Sequence, residues 1–192
     1  MEFIVNEDKV FEGLDHAEKT TTGREFQSCT FKKCDFSNSN FAGNKFVDCV
    51  FDGCNLSMMR LQNSFLNNVE FYNCKILGVN FSECQNLLFS VRFENCILDY
   101  ASFMSKKMLN TKFIKSSLKE TTFSMAILTG STFEQCELSG TVFNRTDLGG
   151  ADFSTSYNYN IDPELNNIRK AVFSADGIPG LLTKHQIKIV HG

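Results

Sequence analysis

Residues 29–46 read CTFKKCDFSNSNFAGNKF, and phenylalanine returns there at every fifth position, at Phe31, Phe36, Phe41 and Phe46. A helix buries one face with spacings of three and four, and a strand alternates in twos, so a step of five fits neither. Followed forward, the step gives Phe26, Phe31, Phe36, Phe41, Phe46, Phe51, Leu56, Leu61, Leu66, Phe71, Ile76 and Phe81. It slips by two residues within CQNLLFSV (84–91). It resumes at Phe93, Leu98, Phe103, Met108, Phe113, Leu118, Phe123, Leu128, Phe133, Leu138, Phe143, Leu148 and Phe153, which makes 25 large apolar residues on one lattice.

The position two before each lattice residue holds Cys, Ser, Ala, Thr or Val with few exceptions, and all eight cysteines, Cys29, Cys34, Cys49, Cys54, Cys74, Cys84, Cys96 and Cys136, fall there. In extended backbone, residues two apart point to the same side. Each five-residue unit is therefore one side of a coil, with a large and a small residue inward and three residues outward. Every fourth lattice residue, with the slip counted, is phenylalanine from Phe31 to Phe153. A superperiod of twenty residues predicts four sides per coil: an all-β, right-handed quadrilateral β-helix, its hand following the general preference of parallel crossovers. Coils spaced about 4.8 Å apart make a rod of roughly 30 Å from the six or so coils between Phe26 and Phe153. Each buried large side chain contributes roughly 1.5–3 kcal/mol, offset by ordering entropy of similar total size.

The 192 residues are read as one repeat domain: an N-terminal cap over 1–25, regular coils over 26–156 broken at 84–91, and an irregular last coil with a tail over 157–192. The first segment keeps only Phe11 on the lattice and carries EDK and HAEKTTTG, which predicts a polar cap with a loop. At the other end Ile168 and Phe173 fall twenty after Leu148 and Phe153, so one irregular coil closes the rod. Ser174 is placed as an N-cap, before a short apolar helix around Ile178, Leu181 and Leu182 and an alternating strand at Ile187 and Ile189. So short a tail cannot bury its own apolar residues, and a homodimer joined through it would.

Function is harder to read, because the lattice encodes the scaffold. The net charge is −3, from 22 acidic and 19 basic residues, which gives no reason to expect binding to nucleic acid or an anionic membrane. MEFIVNEDK has no basic lead into an apolar run, and no stretch reaches the roughly 18 apolar residues of a spanning helix, so a cytoplasmic protein is expected. The cysteines, inward among Phe and Leu at spacings unlike CxxC, read as small hydrophobes, with neither zinc ligands nor disulfides expected. His16, His185 and His191 sit in the terminal segments, and no phosphate loop or convergent carboxylate pair stands out. No catalytic residue, cofactor or metal is expected.

The units C-D-F-S-N (34–38), A-S-F-M-S (101–105), T-D-L-G-G (146–150) and A-D-F-S-T (151–155) resemble the pentapeptide-repeat family over residues 24–156. A narrower likeness lies in C-K-I-L-G-V-N-F (74–81), the single break after it, and N-Y-N-I-D-P-E-L-N-N-I-R-K-A-V-F-S (158–174). These are similar to the topoisomerase-protecting branch, which includes the Qnr and MfpA quinolone-resistance proteins and the albicidin-resistance protein. That resemblance implies a dimeric rod that mimics B-form DNA, binds DNA gyrase or topoisomerase IV and protects it from an inhibitor. Mimicry needs negative charge in place of phosphate. Residues 106–119 supply the opposite, with Lys106, Lys107, Lys112, Lys115 and Lys119 and no acid, so the patch is placed in the last coils at Glu134, Glu137, Asp147, Asp152, Asp162 and Glu164. The break is a second candidate contact, through Asn86, Leu87 and Phe89, since insertions leave a solenoid as edge loops. Its plainer reading is a small bulge with Leu87 or Leu88 in the core and Phe89 on the flank. A rival function is a general interaction scaffold that docks an unrelated protein on the weakly charged side around Ala42, Gly43, Gln62, Asn63 and Ser124.

Overall fold

The computed structural model describes residues 3–190, so His191 lies outside the described residues. The chain winds as a four-faced parallel β-solenoid of about seven turns with a short C-terminal helix. Two faces carry continuous ladders. On the first, Ile4–Glu7, Arg24–Gln27, Lys45–Val47 and Phe65–Asn67 pair in parallel. On the second, the ladder runs from Val10–Glu12 through Thr30–Lys32, Val50–Asp52, Val69–Tyr72, Val91–Glu94 and Lys112–Ile114 to Thr132–Glu134. The third and fourth faces are held by single bridges such as Asp35 to Asn55 and Thr122 to Val142. Partners differ by twenty residues, as in Phe113 opposite Phe133, and by 22 only across the break, as in Phe71 opposite Phe93.

This register stacks identical rings. The second face carries an unbroken phenylalanine column from Phe11 to Phe173, with neighbouring centroids 4.6–5.4 Å apart and ring planes within 5–13° of parallel. A second column on the fourth face, from Phe81 to Phe143, meets the first edge-on. Aromatic contacts of both kinds add about 0.5–1.5 kcal/mol each beyond burial.

The unit has five residues because each side ends on a residue in the left-handed region. Positive φ recurs at the corner two after each lattice residue, at Asn38, Gly43, Asp48, Gly53, Met58, Asn63, Asn68 and Asn73, for example. Gly, Asn and Asp enter this region at least cost, which accounts for their recurrence at that site.

The small inward position has its own chemistry. Each cysteine thiol there donates to the carbonyl of the coil before it, as Cys54 Sγ to Phe31 O at 3.3 Å and Cys136 Sγ to Phe113 O at 3.3 Å. Ser64, Thr121, Ser131, Thr141, Thr146 and Ser156 donate to the equivalent carbonyls. The small inward side chain thus adds a donor to a buried carbonyl of the coil before it, in several units one that already accepts a turn N–H, such as Phe41 O and Leu98 O. All eight thiols are free and buried. Burial pushes those of Cys49, Cys84 and Cys136 up to about 12, which leaves them protonated and poor nucleophiles.

The N-terminal segment differs from the polar cap with a loop expected there. Residues 4–23 form a complete coil in register with the next, with Asn6, Phe11, His16 and Thr21 on the lattice. Backbone bonding to the coil below sets the path, and large interior residues are not needed. The smaller inward groups leave a cavity of about 250 Å³ over Phe26, Phe36 and Phe41. His16 sits edge-on to Phe36 and Phe41 and shares a 2.8 Å hydrogen bond with Thr21 Oγ1. Burial, aided by Lys19, holds it below the ordinary histidine range.

The closing coil bridges Asp147 to Asn167 and Asp152 to Val172, with Tyr159 and Ile161 buried. Ser174 caps a 3-10 turn over Ala175–Gly177, its hydroxyl accepting from Gly177 N. The helix Pro179–Leu182 and a 3-10 turn over Thr183–His185 follow. The strand expected at Ile187 and Ile189 does not form; residues 187–190 have no regular secondary structure and pair with no strand among the described residues.

Candidate partner-binding surfaces

At the break, the fourth face ends on a 3-10 turn, Phe81–Glu83, with Asn80 Oδ1 accepting from Ser82 N. Gln85 N still bonds to Ser64 O, and Ser90 N to Leu66 O. Between those anchors the two extra residues push Asn86, Leu87 and Leu88 outward. Leu87 and Leu88 are 70% and 62% exposed, and Leu88 takes a positive φ of 53°. The core position is filled by Phe89, 7% exposed and packed edge-on to Phe81. Phe89 is thus a core residue, neither at the surface nor on the flank, and neither Leu87 nor Leu88 fills the interior, because the extra residues precede the point where the chain turns back inward. The protrusion carries a leucine pair.

Lys106 is a second correction. It does not belong to the exposed basic band, since it is 1% exposed in the small inward position of the coil below the break. Its ammonium donates to Cys84 O and, at 2.8 Å, to Asn86 Oδ1, and lies 5.0 Å from the centre of the Phe89 ring. Burial pulls its pKa below the ordinary lysine range.

The C-terminal acids do not converge. Glu134 and Asp152 share the second face, Asp147 lies on the first and Glu137 on the third, as their ladders show. Successive lattice units turn outward residues by a quarter of the rod, so neighbours in sequence face different ways. Glu137 accepts from Ser139 N, Ser139 Oγ and Asn158 Nδ2, and these bonds hold its carboxyl below the ordinary range despite partial burial. Asp162 and Glu164 bind Lys184 at 2.8 and 2.5 Å, which cancels part of their charge and pins the tail to the closing coil. Glu134, Asp147 and Asp152 are left without ion-pair partners among the described residues.

Of the tail residues, Leu181 packs against the core and Leu182 is half-buried, whereas Ile178, Ile187, Ile189 and Val190 are exposed. Backbone contact is close: Ile161 N bonds to Gly180 O, and a Cβ on Gly180 would stand 2.3 Å from Tyr159 O. Among the described residues no group of three or more His, Cys, Asp or Glu converges as a metal site, and no helix is long and apolar enough to cross a membrane.

A family model described as a pentapeptide repeat region matches residues 24–103, and a second, for pentapeptide repeats in eight copies, matches 116–154. No curated protein sequence matches the chain. Among solved structures, a trypsin-treated variant of QnrB1, a plasmid-mediated fluoroquinolone resistance protein, is 18% identical and covers 100% of both chains with a TM-score of 0.64. Full-length QnrB1 is 22% identical over 93% of this chain and 100% of its own, with a TM-score of 0.51.

Proposed function

The chain belongs to the pentapeptide-repeat family, and from that membership we propose a non-catalytic binding protein that engages DNA gyrase or topoisomerase IV and shields it from a quinolone- or albicidin-type inhibitor. The observation that carries this reading is a rod with the same fold as QnrB1 along its whole length, closing coil included. Physically, such a rod presents four regular faces to a protein saddle shaped for duplex DNA, and it joins to a second copy through the exposed tail residues Ile178, Ile187 and Ile189. The contact surface is the C-terminal half, where Glu134, Asp147 and Asp152 carry charges that no ion pair among the described residues offsets, together with the leucine tip of the break.

Electrostatic contact of this kind has a measurable signature. The triple variant Glu134→Gln, Asp147→Asn, Asp152→Asn keeps every side-chain acceptor used within the coils, so it is expected to fold normally. Its affinity for gyrase should fall roughly tenfold or more, with a weaker salt dependence. Equal affinity and equal salt slope in a titration would remove the charge-mimic mechanism.

A second reading rests on the fourth face. Thr20, Asn40, Arg60, Asn80, Ser102, Thr122 and Val142 line it in register, with a single charge among them. That surface suits an uncharged protein partner unrelated to topoisomerases. Retention of gyrase binding on masking this face distinguishes the two.

A further inference from the structure

We propose that Lys106 is a positioning residue that holds the break as a preformed tip, with Leu87 and Leu88 presented to an apolar pocket on the protein partner. The partner half of this inference rests on the function proposed above, and the positioning half stands alone.

On the first face the N–H just after the small inward position normally bonds to the coil before it, as Ile127 N does to Lys106 O and Asp147 N to Ala126 O. Cys84 O is the acceptor that Lys107 N would use in that pattern. The Lys106 ammonium takes that carbonyl instead. The four-stranded ladder of this face has its last strand at Phe65–Asn67, in the coil before the break, and bridging resumes only between Lys107 and Ile127. A side chain thus replaces backbone pairing where the loop has interrupted it.

The chemistry matches the vacancy. An ammonium carries three donors; two go to Cys84 O and Asn86 Oδ1, both in the break, and the cation faces the ring of Phe89, also in the break. Charge-assisted bonds of this kind are the stronger class. No acid is among these contacts, so the amine serves the loop and no ion pair. Leu88 takes the left-handed corner conformation that recurs throughout the coils, and the two leucines stay exposed beside a packed core. A flexible loop would fold such side chains back onto the rod.

Alanine is native at the equivalent position in other units, at Ala101, Ala126 and Ala151, so Lys106→Ala is compatible with the coil itself. Lys106→Met adds back the methylenes without the donors. Hydrogen exchange is measured on both, alongside gyrase affinity for these variants and for Leu87→Ser/Leu88→Ser. Exchange at the hydrogen-bonded amides of Gln85, Phe89 and Ser90 should rise roughly tenfold or more in both variants while the strands at Phe71 and Phe113 keep wild-type protection. Both variants and the leucine double variant should lose gyrase affinity together. Unchanged exchange at the break, or loosening spread over all coils, overturns the positioning role. A loosened loop with undiminished gyrase binding overturns the docking role. If the wild-type protein itself does not bind gyrase, the function proposed above fails while the exchange data still decide for or against Lys106.

Discussion

Replacing Phe133 by alanine is expected to destabilise the protein by about 3–5 kcal/mol, read as a lowered midpoint in denaturant with an unchanged slope. Phe133 is fully buried. Its ring stacks on Phe113 at 4.8 Å and on Phe153 at 4.6 Å, and meets Phe123 and Phe143 edge-on. Truncation therefore removes a large transfer term, opens a gap in one column and strips edge contacts from the other. Phe173→Ala should cost less, because that ring is half-buried at the end of the column with one stacking neighbour. Each coil touches only its neighbours, so a central loss weakens the contacts of the coils on both sides, and a terminal one those of a single coil. Equal costs at the two sites would mean that neither the deeper burial of Phe133 nor its place in the column contributes to stability.

The second large effect is expected at Gly180. A Cβ there would stand 2.3 Å from Tyr159 O and 2.9 Å from the Tyr159 ring, and a backbone atom cannot yield as a flexible side chain does. Gly180→Val should lift the helix Pro179–Leu182 off the closing coil at a cost of about 1–3 kcal/mol. The consequences are rapid proteolysis after Ser174 and, if the tail joins two copies, monomers by light scattering. The coils from Phe26 to Phe133 should keep their exchange protection. A dimer that survives with the tail displaced places the joint elsewhere.

The path of the chain was legible in its sequence because backbone pairing repeats every twenty residues and each repeat shows an inward Phe or Leu. Phe113 opposite Phe133 follows from counting alone. The left-handed corners were not read from the sequence: Gly, Asn and Asp recur two after the lattice residue, but Lys33, Met58, Tyr100, Glu120, Arg145 and others take the same conformation without that signal. Where the backbone sets structure without apolar residues, the pattern is silent. Residues 4–23 coil on Asn6, His16 and Thr21, none of them a repeat hydrophobe. The tail strand failed because alternation at Ile187 and Ile189 describes a face without supplying an edge to pair with.

The candidate surfaces were less legible for two physical reasons. Acids close in sequence, such as Glu134 and Glu137, occupy different faces, since each unit turns the rod by a quarter. Lys106 looked like one lysine in a basic run. Its one distinguishing sign was its place two before Met108, where the lattice calls for a small residue. A charge in that slot directly below an insertion marks a side chain recruited into the space the insertion opens.

The account is tested most directly by DNA supercoiling with purified gyrase, a fluoroquinolone or albicidin, and increasing amounts of the wild-type protein. Restored supercoiling in the presence of one inhibitor, at protein concentrations that leave uninhibited gyrase active, is the predicted result. Supercoiling that stays blocked by both inhibitors, and that is unaffected by the protein in their absence, contradicts it.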